Sequence, residues 1–133
     1  MRKWISAAAV GMALMALVSC GKSDHFDPNT LEQSTVGELS SDVTMRLSQE
    51  EFRSVPSELS LVITNHTGEE YTYGSEYRLE VYLDDQWYIL PAEEELYFTS
   101  IGVMLQPDGI NSENIAPEEY REHLPAGHYR VVK

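Results

Sequence analysis

A chain of 133 residues carries 22 Asp and Glu against nine Lys and Arg, a formal charge of −13. A balance this acidic leaves no basic face to displace counterions from phosphates, which excludes nucleic-acid binding, and an anionic bilayer repels the body of the protein. With a single Cys in the sequence, no intramolecular disulfide can form.

The first element is a leader. Arg2 and Lys3 precede an uncharged apolar run over residues 4–18, and Cys20 follows almost at once. A basic start, a short apolar core and small residues before a cut mark a secretory signal, and about fifteen apolar residues fall short of the roughly 20 that span a bilayer. The tetrad Leu17-Val18-Ser19-Cys20 resembles the lipobox of bacterial lipoproteins. That resemblance implies that residues 1–19 are removed as a lipoprotein signal peptide and that Cys20 is acylated. It places the protein in the cell envelope, extracytoplasmic, with the membrane reached through a lipid anchor. Several acyl chains on one Cys supply the multiple hydrophobic signals that stable anchoring requires. An exported chain with one otherwise unused thiol fits an anchor better than a redox site; an ordinary export signal that happens to contain a cysteine is the plain alternative. Loss of Arg2 and Lys3 leaves seven basic against 22 acidic side chains, a charge of −15. Gly21 follows Cys20, so the likeness does not extend to signals with Asp in that place.

Residues 20–41 are rich in Ser, Asp, Gly, Asn, Thr and Glu, with Phe26 and Leu31 as isolated apolar residues. Such a composition buries too little to offset chain entropy and reads as a flexible tether. Residues 42–133, about 90 in all, make one small domain. Its period is two. Val43, Met45 and Leu47 alternate with Thr44, Arg46 and Ser48, and Leu59, Leu61 and Ile63 with Ser60, Val62 and Thr64, a run that ends at Asn65-His66-Thr67-Gly68. Leu79, Val81 and Leu83 repeat the pattern, and Asp84-Asp85-Gln86 reads as a hairpin connection into Trp87-Tyr88-Ile89-Leu90, closed by Pro91. A further strand is predicted over residues 98–105, ended by Gln106-Pro107-Asp108-Gly109, and a last one over 128–132. Residues 117–123 suit one short helical turn, with Pro117 first and Glu118-Glu119 behind it. About six to eight short strands joined by polar turns predict an all-β antiparallel sandwich.

Leu124-Pro125-Ala126-Gly127-His128-Tyr129 carries the most fold information. A Tyr entering a late strand of a Greek-key sandwich folds its hydroxyl back to an upstream carbonyl; Pro125 fixes one dihedral of the approach and Gly127 supplies the turn. Trp87 is expected to pack across the core or cover its open end. Tyr73-Gly74 ahead of Tyr77, then Asp84-Asp85-Gln86-Trp87-Tyr88, then the Leu124–Lys133 run occur in a fixed order that resembles a family of bacterial immunoglobulin-like domains of envelope proteins and lipoproteins. The resemblance covers roughly residues 43–133 and implies an immunoglobulin-like β-sandwich without known catalysis. Similar domains continue into a further closing strand after the Tyr corner. Here either that strand is missing, which leaves an edge open to strand addition, or an earlier segment takes its place.

Chemistry-bearing constellations are sparse. His25, His66, His123 and His128 are isolated in the sequence, and no nucleophile-elbow or zinc-hydrolase spacing is present. No catalytic residue, cofactor or metal ligand is therefore assigned. Glu93-Glu94-Glu95 lacks the alternating spacing that wraps a cation and reads as a solvated loop. Asn65-His66-Thr67 matches an N-glycosylation triplet of no consequence in a bacterial envelope. The reading is a non-catalytic interaction or structural module that meets a protein partner through faces bearing Tyr71, Tyr73, Tyr77 and Tyr82. The alternative is an extracytoplasmic solute or divalent-cation sensor with acidic loops as ligands.

Overall fold

Alternation of side chains across a pleated strand decides which residues meet. In the computed structural model, which describes residues 12–17, 26–37, 39, 41–98 and 100–133, that alternation builds two stacked sheet layers. The strands are β1 (Met12–Leu17), β2 (Glu32–Gln33), β3 (Val43–Leu47), β4 (Glu51–Phe52), β5 (Leu59–Asn65), β6 (Tyr71–Tyr73), β7 (Arg78–Leu83), β8 (Gln86–Leu90), β9 (Val103–Leu105), β10 (Ile110–Ile115) and β11 (Gly127–Val132). One layer is a six-stranded sheet in the order β2-β8-β7-β11-β1-β4; the other holds β10-β5-β3, with β6 and β9 paired separately. All neighbours are antiparallel except β1 and β4. The expected all-β sandwich is the architecture observed.

The core lies between the layers. Leu79, Val81, Leu90, Tyr129 and Val131 of the large sheet pack in one buried cluster with Val43, Met45, Leu59, Leu61, Ile63 and Ile115 of the smaller one. Each large apolar side chain so buried contributes about 1.5–3 kcal/mol relative to exposure. Helix α1 (Pro117–Tyr120) is the single turn expected, and it buries Pro117 and Tyr120. Asp84 and Asp85 take φ of 49° and 63°, so the β7–β8 hairpin turns on two left-handed residues, the geometry that matches the twist of the strands. Gly109 is required: its N–H donates to the Gln106 carbonyl at 2.8 Å, and a Cβ there would sit 2.7 Å from that oxygen.

Several expectations need correction. The strand predicted over residues 98–105 contracts to Val103–Leu105, and β10, which no pattern signalled, follows it. The sequence Ile-Asn-Ser-Glu-Asn-Ile inverts the usual rule, because register places Asn111 and Glu113 on the core side and leaves Ile110 exposed. These two polar residues find partners at the sheet edge and need no apolar neighbours.

The tether predicted over 20–41 is built into the fold from Phe26 onward. Asp27 caps a 3-10 turn at Pro28–Thr30, β2 pairs with β8, and the Ser34 N–H donates to the Trp87 carbonyl at 2.8 Å. Adding an edge strand uses backbone groups, which composition does not register. Residues 20–25, Cys20 among them, lie outside the described residues, as do 1–11 and 18–19.

The leader run also has a place in the fold. Its residues Met12–Leu17 form β1, antiparallel to β11 from Met12 opposite Val132 to Leu17 opposite Gly127. The flank of β11 is thus taken by an earlier segment, the second of the two outcomes expected for it. A short uncharged apolar run satisfies a signal core and a buried strand equally well. The correction to Trp87 concerns the site below.

Candidate functional site

Tyr129 is buried in β11, and its hydroxyl donates to the Pro125 carbonyl four residues upstream. Burial pushes its phenol well above the ordinary tyrosine range. The Phe26 ring stands edge-on to it with centroids 6.5 Å apart, and the Arg121 guanidinium lies 5.2 Å over Phe26. Gly127 opens β11 and does not supply a left-handed turn: a Cβ there would meet the Tyr129 ring at an ordinary 3.7 Å.

Trp87 does not cross the core. Register sets it opposite Tyr82 on the outer face of the large sheet, with ring centroids 5.0 Å apart. The Arg130 guanidinium lies 4.4 Å over its ring, a cation–π contact of the strongest aromatic kind. Arg130 reaches there because it neighbours Glu80 across the β11–β7 ladder. Glu80 is 0% exposed and Arg130 5%. One carboxylate oxygen of Glu80 accepts from Arg130 Nε at 2.6 Å; the other accepts from Ser34 Oγ at 2.7 Å and Arg78 Nε at 2.9 Å. Every side of this buried anion is met by a donor, the condition for holding a charge out of water.

A second buried cation reaches from the end of β11 to β10 of the smaller sheet. Lys133 is 2% exposed, with its Nζ 2.5 Å from Glu113 Oε1, 3.3 Å from the Ser75 carbonyl and 5.6 Å from the Tyr73 ring centre. Tyr73 in turn accepts from Asn111 Nδ2. Its phenol is raised chiefly by burial, with the Glu113 charge adding to that and the Asn111 hydrogen bond opposing it. Asn65, also fully buried, donates to the carbonyls of Glu69, Leu105 and Gln106 and accepts from the Thr67 N–H and hydroxyl. Its amide ties the β5–β6 and β9–β10 turns together and is closed to modification.

Sequence reasoning missed Glu80, Arg130, Glu113, Lys133 and Asn65. One signal was available: Arg130 and Lys133 flank two apolar positions, Val131 and Val132, at the buried end of the last strand. Each of these five side chains is directed at a partner within the domain. Among the described residues, no group of three His, Cys, Asp or Glu is placed to hold a metal ion. His66 Nε2 sits 2.9 Å from Thr44 Oγ1, His123 is exposed with Glu122 3.9 Å away, and Glu93, Glu94 and Glu95 face solvent.

The tyrosines offered as a contact surface are divided by the fold. Tyr73 and Tyr77 are buried and Tyr71 half-buried, leaving Tyr82 outward. The exposed apolar side chains are instead Tyr97 (86%), Ile101 (72%), Ile110 (68%) and Met104, on β9, the start of β10 and the loop before them. No helix among the described residues is long and apolar enough to cross a membrane. Residues 39–133 match a family model described as a bacterial Ig-like domain. No curated protein and no solved structure matches the chain.

Proposed function

Because the chain belongs to the family of bacterial Ig-like domains, we propose that it is a lipid-anchored envelope protein whose sandwich acts as a non-catalytic interaction module. The observation that carries this reading is a lipobox-like tetrad, Leu17-Val18-Ser19-Cys20, ahead of an Ig-like match that begins at residue 39. Acyl chains on Cys20 supply the anchoring energy that a body of −15 charge cannot draw from an anionic surface. Phe26 packs against Tyr129 only six residues on, so the anchor holds this end of the sandwich within roughly 20 Å of the bilayer. The module then presents the β9–β10 side, with Tyr97, Ile101, Met104 and Ile110, to partners in the envelope. Large apolar side chains exposed together mark contact sites more often than solvent faces.

Intact-mass analysis of the detergent-extracted protein tests the anchor: the chain begins at Cys20 and carries acyl mass, and Cys20→Ala abolishes both. An unmodified Cys20 refutes it. A photo-crosslinker at Ile101, compared with one at exposed Glu70, tests the contact face. Cross-links of equal yield and identity from the two positions would remove the reason for choosing it.

A further inference from the structure

We propose that the flank of β11 opposite β7 is a strand-acceptor slot, filled by Met12–Leu17 in the uncut chain and, once those residues are gone, by an extended uncharged segment of an envelope partner. The inference rests on the anchoring read above, in which cleavage before Cys20 separates β1 from the domain.

The seat of β1 is a slot and not a bare edge. The strand is inserted between β11 and β4 in the large sheet, with all six of its residues in register with β11. At its far end Ala16 and Leu17 also pair, in parallel, with Glu51 and Phe52, and the Ala16 N–H donates to the Glu50 carbonyl at 2.7 Å. Among the described residues nothing else pairs with that side of β11, and β4 has no other sheet neighbour. Removing β1 therefore strips the ladder from a strand whose Tyr129, Arg130, Val131 and Val132 are buried. Unpaired N–H and C=O groups beside a buried face are costly to leave without partners. Strand addition meets that cost, with main-chain hydrogen bonds giving affinity and alternate side chains giving choice.

The segment seated there shows what the slot accepts. Met-Ala-Leu-Met-Ala-Leu contains no charge, no Pro and no β-branched residue, and its two small residues, Ala13 and Ala16, are set among long side chains unbranched at Cβ. An occupant must be about as long, extended, antiparallel to β11 and free of Pro, since each missing N–H deletes a rung. A second copy offering its own Gly127–Val132 brings His128 and Arg130 to the slot, and its Arg130 is already bound to Glu80. An apolar strand from another protein is the better fit.

Hydrogen exchange on the processed protein reads the slot directly. Without additions, amides of β11 exchange at least tenfold faster than those of β5. A peptide of residues 12–17 flanked by lysines slows them at least tenfold, and the same peptide with Pro in place of Leu14 does not. Equal protection of β11 and β5 without peptide overturns the proposal, as does a peptide without effect. If the processed chain does not fold, the uncut chain carrying Leu14→Pro decides the matter: β11 loses protection while β5 keeps it, and unchanged β11 amides overturn the slot. A dimer that the peptide dissolves assigns the slot to a second copy and overturns the partner. Intact mass separates the two readings, because an unprocessed chain refutes the anchor and leaves the Leu14→Pro comparison valid.

Discussion

Replacing Glu80 by Ala removes the anion around which Arg130, Arg78 and Ser34 are arranged, and the cost follows from who is left behind. Arg78 has 29% of its side chain exposed and can turn toward water, and the Ser34 hydroxyl can rotate. The Arg130 side chain, 6% exposed, keeps its charge in the interior, beside the Trp87 face and Ser34, without its buried counter-charge. Breaking one side of a buried ion pair costs about 3–5 kcal/mol. In a domain of this size each kcal/mol lowers Tm by about 4–8 °C, so Glu80→Ala lowers it by at least about 12 °C. Thermal and urea unfolding of the purified chain measure this, with an unchanged m-value showing that the same surface is exposed. Glu80→Met combined with Arg130→Met removes both charges at similar volume and recovers most of the loss, because a buried pair contributes little net over well-packed apolar groups. With the Glu80→Met and Arg130→Met single variants completing the cycle, the coupling is at least about 1.5 kcal/mol. A Glu80→Ala penalty below about 1 kcal/mol, or additivity in the cycle, refutes the claim that Arg130 depends on this carboxylate.

Asn65→Asp replaces the amide that donates to three carbonyls with a carboxylate facing the same oxygens, and the urea midpoint falls by the equivalent of more than about 3 kcal/mol; a loss under about 1 kcal/mol contradicts the tie it forms between turns. Tyr129→Phe deletes only the hydroxyl that donates to Pro125 and costs about 1–2 kcal/mol with an unchanged circular dichroism spectrum; a neutral substitution means the corner is not pinned there. Alkaline unfolding follows from the buried phenols. Tyr71 and Tyr77 are each pushed up to about 12, in both cases mainly by burial, against about 10 in the unfolded chain. Below pH 10 both states keep these protons and stability is intact; between about 10 and 12 only the unfolded state releases them, so stability falls as pH rises. Urea midpoints decline over that window together with a cooperative rise in tyrosinate absorbance, and non-cooperative ionisation near 10 in a chain that stays folded contradicts the burial.

Strands whose apolar residues alternate were legible because burial of one face leaves a mark every second residue, as at Leu59, Leu61 and Ile63. β10 was not, because its inward positions are Asn111 and Glu113, and the periodicity is carried by partners more than 30 residues away in Tyr73 and 20 away in Lys133. β2 was invisible for a related reason. Two exposed residues, Glu32 and Gln33, join the sheet by backbone alone. Glu80 carried a misleading signal: alternation set it on the outer face with Arg78 and Tyr82, and outer faces are ordinarily wet. Only the cross-strand meeting with Arg130, 50 residues on, dries it. Local patterns thus delivered the layers, and the polar groups that lock the layers together depended on contacts that no local window contains.

The same distinction governs β1. As a signal core, Met12–Leu17 needs only to be apolar, short and uncharged; as a strand it needs only free backbone groups and a bare ladder beside it. Neither requirement constrains the other, so the proposed signal core and the strand can be one segment. The fold is compatible with that proposal because β11 is held from its other side by β7, with Tyr129 opposite Val81 and Val131 opposite Leu79 at the centre of the core. Those contacts, the Glu80–Arg130 pair and the Tyr129–Pro125 bond involve no atom of β1. Loss of the leader strand therefore removes one ladder from β11 without removing its packing on β7. That is the physical condition for a stable domain that still has a vacancy to fill.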